Sequence, residues 1–196
     1  MKLAVVTAGL SQPSSSRLLA DRLASATASA LGPTSVSVLE LRDIALDVTK
    51  NLLTGFPNPA LRSAIETVTG ADGLIAVTPV FAAGYSGLFK SFFDVLDVDA
   101  LEGKPVLLGA TGGTERHSLV LDYQLRPLFG YLRAVPVATG VYAASSDWGS
   151  GEASGALQRR IERAARELAG AMAGQTASPS AGGFVPFEQL LAGAGD

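Results

Sequence analysis

Short apolar runs that end in small or polar residues recur along this chain with helical patterns between them, and that alternation restricts it to few folds. Residues Leu3 to Val6 form the first run; a parallel strand buried on both faces has this signature, because neither face needs polar residues. Leu19, Leu23, Ala26 and Ala30 then follow at intervals of four and three, the spacing of one helix face, until Gly32-Pro33 stops the pattern. SVSVLEL at 35–41 reads as a second strand, and RDIALDVTKNLLTG and PALRSAIETVTGA as two helical pieces split by Gly55, Pro57 and Pro59. GLIAVTP at 73–79 is a third strand, and an amphipathic helix is expected from Gly87. PVLLGATGG at 105–113 is a fourth strand running into a glycine turn, and SLVLDYQLRPLFGYLRA at 118–134 a helix interrupted or entered afresh at Pro127. VPVATGVYA supplies a fifth strand, and EASGALQRRIERAARELAGAM a closing helix with its arginines outward.

Parallel strands cannot be joined by tight turns; each needs a crossover, and right-handed crossovers place helices on both faces of the sheet. The expected fold is a doubly wound α/β domain over residues 1–173. A Gly-, Ala-, Ser- and Pro-rich tail follows at 174–196, with the apolar Phe184–Leu191 offered for docking.

Composition narrows the chemistry. Hydrophobic residues make up 47% of the 196 and charged ones 17%, enough apolar surface for a subunit interface as well as a core, so a homodimer or homotetramer is expected. A net charge of -3 without a basic cluster argues against nucleic acid. The absence of cysteine excludes disulfides, thiolate metal sites and thiol catalysis, and a single histidine, His117, excludes a polyhistidine metal site. There is no basic and apolar leader and no apolar run near 18 residues, so a cytoplasmic protein that does not enter the membrane is expected.

In open α/β sheets ligands bind beyond the carboxyl ends of the strands, which selects three loops. The first, residues 7–17, places Ser11, Ser14, Ser15 and Ser16 ahead of a helix, with Arg17 beside them. Free helix N–H groups and hydroxyls suit a phosphate, but a plain serine N-cap produces the same pattern. No G-x-G-x-x-G or Walker pattern follows the strand, so a single phosphate fits better than a dinucleotide or triphosphate. The second loop, TPVFAAGYSG at 78–87, combines Pro79, Phe81 and small residues that let backbone approach a planar ring; an aromatic there also serves to close the edge of a core. In the third, ATGGTERHS, glycines free backbone amides to face polar ring atoms, although an ordinary turn uses Gly-Gly as well, and His117 suits a proton donor or substrate contact or, more commonly for a lone histidine, a helix cap or the surface.

TPVFAAGYSGLFKSFFD and LLGATGGTERHSLVLDYQLRPLFGYL, together with the first loop, resemble the NAD(P)H-dependent FMN reductases of flavodoxin-like fold over roughly residues 2–172. The resemblance is strongest to reductases that supply reduced flavin to two-component, luciferase-like monooxygenases such as those of alkanesulfonate desulfurisation. It implies a five-stranded parallel sheet in the order 2-1-3-4-5. It places Ser11, Ser14, Ser16 and Arg17 around the FMN phosphate, Pro79, Val80, Phe81, Tyr85, Ser86 and Gly87 along the flavin, and Thr111, Gly112 and Gly113 at the isoalloxazine edge. Tyr123 stands where some relatives carry an inserted tyrosine that forms a π-bulge at a tetramer interface; a tyrosine packed at a helix interface is the alternative. The chain departs from many relatives in having Gln12-Pro13 and Ser16 where they have an arginine and an asparagine.

The same resemblance implies hydride transfer from NADH or NADPH to N5 of FMN, with no catalytic side chain required because the cofactors carry the chemistry. Reduced FMN would pass to a partner monooxygenase. The alternatives are a flavin-bound NAD(P)H:quinone or azo reductase and a non-catalytic flavodoxin-like carrier. A receiver domain is disfavoured by Thr7-Ala8-Gly9 and Thr78-Pro79, where acidic residues would be needed.

Overall fold

The structure, a computed structural model, describes residues 1–149 and 152–174. The tail beyond Gly174, with Phe184–Leu191, lies outside the described residues. The strands are β1 (Lys2–Thr7), β2 (Ser35–Glu40), β3 (Gly73–Phe81), β4 (Gly84–Tyr85), β5 (Pro105–Gly112), β6 (Val135–Pro136) and β7 (Val141–Ala144). The helices are α1 (Ser15–Leu31), α2 (Ala45–Thr54), α3 (Pro59–Thr69), α4 (Gly87–Asp94), α5 (Arg126–Tyr131) and α6 (Glu152–Met172).

The sheet runs β2-β1-β3-β5 with β6 and β7 both parallel to β5. Counting β6 and β7 as one interrupted strand, this is the flavodoxin-like order 2-1-3-4-5. Side-chain alternation divides two cores cleanly. Ala4, Val6, Leu74, Ala76, Val106 and Leu108 face α2 to α5, where Phe89, Phe92, Phe93 and Phe129 are buried. Leu3, Val5, Ile75, Val77 and Leu107 face α1 and α6. Phe93 sits at the centre of the aromatic cluster, 4.7 Å from Phe89 and 4.9 Å from Phe129 between ring centroids, within the range where edge contacts add to burial.

Three local features go beyond the periodicity. The fifth strand is broken: Val106 pairs with Pro136 and Gly109 with Val141, five steps along one strand against three along the other. The intervening backbone is held by side chains instead. Arg126 donates to the carbonyls of Val137 and Ala138, and Glu167 accepts from the Thr139 N–H at 2.7 Å and hydroxyl at 2.6 Å.

Next, the segment at 118–134 is preceded by a 3-10 turn at Glu115–His117, passes through a π-helical turn at Leu121–Leu125 and only then becomes α5. Pro127 has no N–H for the Tyr123 carbonyl, and the Arg126 N–H reaches back five residues to Leu121.

Finally, β3 continues through Pro79 and Val80 to Phe81 and folds back on Gly84–Tyr85 through a two-residue turn. Ala82 and Ala83 both take positive φ, +47° and +65°, the conformation of a type I′ hairpin, without the Asn-Gly pair that would have signalled it.

Candidate functional site

α1 starts where it does because Ser14 is extended and its Oγ accepts the Arg17 N–H at 3.2 Å, a serine N-cap. The first intrahelical bond runs from the Leu18 N–H to the Ser14 carbonyl, so the amides of Ser15 and Ser16 point out of the helix end unpaired within it. The preceding loop contains a cis Gln12-Pro13 bond. Gly9 lies so close to Ser14 that a β-carbon there would collide with the capping hydroxyl.

This helix start forms one wall of an open cleft of about 340 Å³. Gly9, Leu10, Ser11, Ser14, Ser15 and Ser16 supply that wall; Pro79, Val80 and Phe81 supply a second; Thr111, Gly112 and Gly113 a third; and Ser145 closes it. The parallel register explains the convergence: Thr78 lies opposite Ala110 and Pro79 opposite Thr111, so both strands deliver their carboxyl ends at one level. Phe81 is 47% exposed, a large aromatic left facing the opening. Across the cleft floor the Ser16 and Thr111 hydroxyls are buried and hydrogen-bonded at 2.7 Å.

Neighbouring residues set the walls. Thr78, fully buried, accepts the Ser86 N–H at 3.0 Å and donates to the Pro79 carbonyl at 2.9 Å, fastening the end of β3 to the start of α4. Tyr142 donates to the Thr114 carbonyl at 2.7 Å and lies against Gly112, where a β-carbon would strike its hydroxyl. Partial burial, with Glu115 and Asp147 nearby, raises the Tyr142 pKa, so the phenol stays protonated as a donor. Glu115 is held below the ordinary carboxylate range by its own backbone N–H and by Ser146.

Nine of the residues that the sequence singled out, from Ser11, Ser14 and Ser16 to Gly113, thus come together. Four do not line the cleft. The Arg17 guanidinium turns to Asp21 at 2.8 Å and Glu40 at 2.5 Å, and its pKa is raised first by the Asp21 hydrogen bond. Tyr85 lines a separate groove with Tyr123. Ser86 is buried under Thr78, and Gly87 begins α4. Tyr123 lies in the π turn and is 75% exposed. His117 is exposed in the 3-10 turn, away from the cleft lining.

Ser15, named with the other serines of the first loop, lines the cleft too, and Gly9, Leu10 and Ser145 join it although sequence reasoning gave those three no role there. Ser145 follows directly on β7, and the rule that selected the other three loops would have selected this one too.

A family model described as NADPH-dependent FMN reductase matches residues 1–149. The chain belongs to this family. It is an oxidoreductase of the NAD(P)H-dependent FMN reductase type. It is 38% identical over 176 residues to an FMN reductase (NADPH) of Pseudomonas aeruginosa, covering 89% of this chain and 94% of the relative. It is also 38% identical over 170 residues to the NADH-dependent FMN reductase SfnF of Pseudomonas fluorescens, covering 86% and 90%. Among solved structures, an oxidoreductase from Corynebacterium diphtheriae superposes with a TM-score of 0.85 at 46% identity, over 89% of this chain and 98% of that one.

The cleft fits the flavin this family reduces. It offers outward helix amides and serine hydroxyls for a phosphate, two glycine positions where a side chain would collide, and an exposed aromatic beside a rigid proline. Among the described residues there is no group of three or more His, Asp or Glu placed to hold a metal ion. Nor is any described helix long and apolar enough to cross a membrane.

Proposed function

We propose that FMN binds in this cleft, with its phosphate at the start of α1 and its ring between Pro79–Phe81 and Thr111–Gly113. When bound, FMN would supply the electron-accepting chemistry, as the acceptor of the hydride that NADH or NADPH carries. The chain's own residues bind and orient. The amides of Ser15 and Ser16 and the hydroxyls of Ser11, Ser14 and Ser16 receive phosphate oxygens; Gly112 and Gly113 admit the ring edge to backbone; Pro79 and Phe81 shield one wall from water. The lining carries no His, Asp, Glu, Lys or Arg, so the site aligns two cofactors rather than exchanging protons with them. The observation that carries this reading is the convergence of the three loops on one cleft.

We further propose that reduced FMN leaves for a partner monooxygenase, in keeping with the resemblance to two-component reductases. Copies of this chain would pair through the groove that holds Tyr85, Tyr123, Tyr131 and Val98. Tyr131 is 70% exposed and lines the same groove as Tyr123, and interfaces favour exposed aromatic side chains of this kind.

The test is oxidation of NADH and of NADPH by the purified protein with FMN varied, in parallel with a quinone as acceptor. FMN-dependent oxidation that exceeds the quinone rate supports the proposal. Failure to bind FMN, or oxidation that is independent of it, overturns it.

A further inference from the structure

The proposed phosphate end of the cleft has no cationic side chain in its lining, yet a phosphate carries close to two negative charges near neutral pH. Two arginines lie just behind it, and both are tied to one carboxylate. Glu40, at the end of β2, pairs through Oε1 with Arg17 Nη1 at 2.5 Å and through Oε2 with Arg42 Nη2 at 2.6 Å. The Glu40 and Arg42 side chains are only 16% and 20% exposed, so solvent screens this pair less than it screens surface charges.

Arg42 also reaches the loop itself. Its Nη1 donates to the Ser11 carbonyl at 3.1 Å. The Gln12 carboxamide orientation that satisfies its neighbours turns its oxygen to the same guanidinium, accepting from Nη2 at 2.8 Å and Nη1 at 3.1 Å. One planar fork therefore grips the two residues that lead into Pro13 and the Ser14 cap, and its other edge is anchored on β2. Asp21 also holds Arg17 at 2.8 Å and Asp43 lies 3.6 Å from Arg42 Nε, so with Glu40 the five side chains together carry one net negative charge. Asp21 and Asp43 are 48% and 70% exposed and well screened, whereas Arg42, 20% exposed, is the guanidinium that touches the loop.

We infer that Arg42 is the positioning residue of the phosphate loop and its main source of positive potential, and that Glu40 attenuates that potential. The inference rests on the reading of the cleft as an FMN site. Removing the Arg42 fork frees the Ser11–Gln12 backbone and takes away the positive charge nearest the loop. Neutralising Glu40 to glutamine removes one negative charge behind the loop, while the amide oxygen remains an acceptor for the arginines.

The experiment compares FMN with riboflavin, which lacks the phosphate, as the flavin substrate of wild type, Arg42→Ala, Arg42→Lys and Glu40→Gln, with thermal melting as the check on folding. In Arg42→Ala, KM for FMN rises about tenfold, the loss of a charge-assisted contact, while KM for riboflavin and kcat stay within about twofold. Arg42→Lys, which keeps charge and loses the fork, falls between. Glu40→Gln lowers KM for FMN by about threefold at low salt, leaves riboflavin unchanged, and loses this gain as salt is added.

Equal KM values for FMN and riboflavin in the wild type would refute the phosphate site itself. Discrimination by the wild type, with Arg42→Ala weakening both flavins alike or Glu40→Gln giving no gain for FMN, would overturn the role given to Arg42 and Glu40. If Arg42→Ala does not fold, Arg42→Lys and Glu40→Gln decide the question, since a purely structural clamp predicts no improvement from the latter.

Discussion

Ser16 Oγ and Thr111 Oγ1 meet at 2.7 Å on the cleft floor, 95 residues apart in sequence and both almost wholly buried. The pair joins the start of α1 to the end of β5 and so couples the proposed phosphate wall to the proposed ring wall. Replacing Thr111 with valine strands the Ser16 hydroxyl and is expected to cost about 1–2 kcal/mol. Adding Ser16→Ala to Thr111→Val should cost less than the two single changes together. Urea unfolding of the four proteins measures the coupling; full additivity would show the pair to be unimportant.

Gly112→Ala drives a methyl group into the Tyr142 hydroxyl and so displaces the bond to the Thr114 carbonyl. We expect KM for FMN to rise by about tenfold or more, since misplacement near 1 Å is costly. Tyr142→Phe in the same chain removes the struck oxygen and should restore part of the loss. Steady-state kinetics of the single and double variants provide the check.

Ala83 holds φ at +65° in the hairpin that carries Phe81. Left-handed backbone costs a residue with a β-carbon about 1 kcal/mol, and glycine escapes it. Ala83→Gly should therefore raise stability by up to about 1 kcal/mol, less the added freedom of the unfolded chain. Chemical denaturation midpoints at constant slope will show it.

Glu167 holds α6 to the break in the fifth strand through both groups of Thr139. Burial alone would raise its pKa, but the two Thr139 donors and Arg163 bring it below the ordinary value. A carboxylate with a depressed folded pKa stabilises above its unfolded value and loses that contribution as pH falls through the folded one. Glu167→Gln should cost about 1 kcal/mol at pH 7 and progressively less below about pH 4. A penalty that stays constant down to pH 3 would contradict the assignment.

Tyr123 lies in the π turn, 75% exposed, and lines the same groove as Tyr131. Tyr123→Ser should shift the protein toward a smaller species in sedimentation if this groove is the subunit interface. An unchanged distribution would place the interface elsewhere.

The order and type of the main elements were legible because their signals are local. Uninterrupted apolar runs mark β1, β3 and β5, a period near 3.6 marks α1, and Gly32, Gly55 and the prolines mark the ends. The three loops that line the cleft followed from the same pattern, because any parallel sheet delivers its carboxyl ends to one side.

Only the tertiary structure decided where individual side chains turn. Arg17 looks available in sequence, but Glu40 and Asp21 claim its guanidinium, while Arg42 reaches the Ser11 carbonyl from 31 positions away. The break in the fifth strand depends on Arg126 and Glu167 capturing backbone groups from different helices, and the hairpin at Phe81 forms with two alanines in a conformation alanine disfavours. Periodicity records which face of an element is buried. Hydrogen-bond partners are chosen by distance in space, which a one-dimensional pattern does not contain.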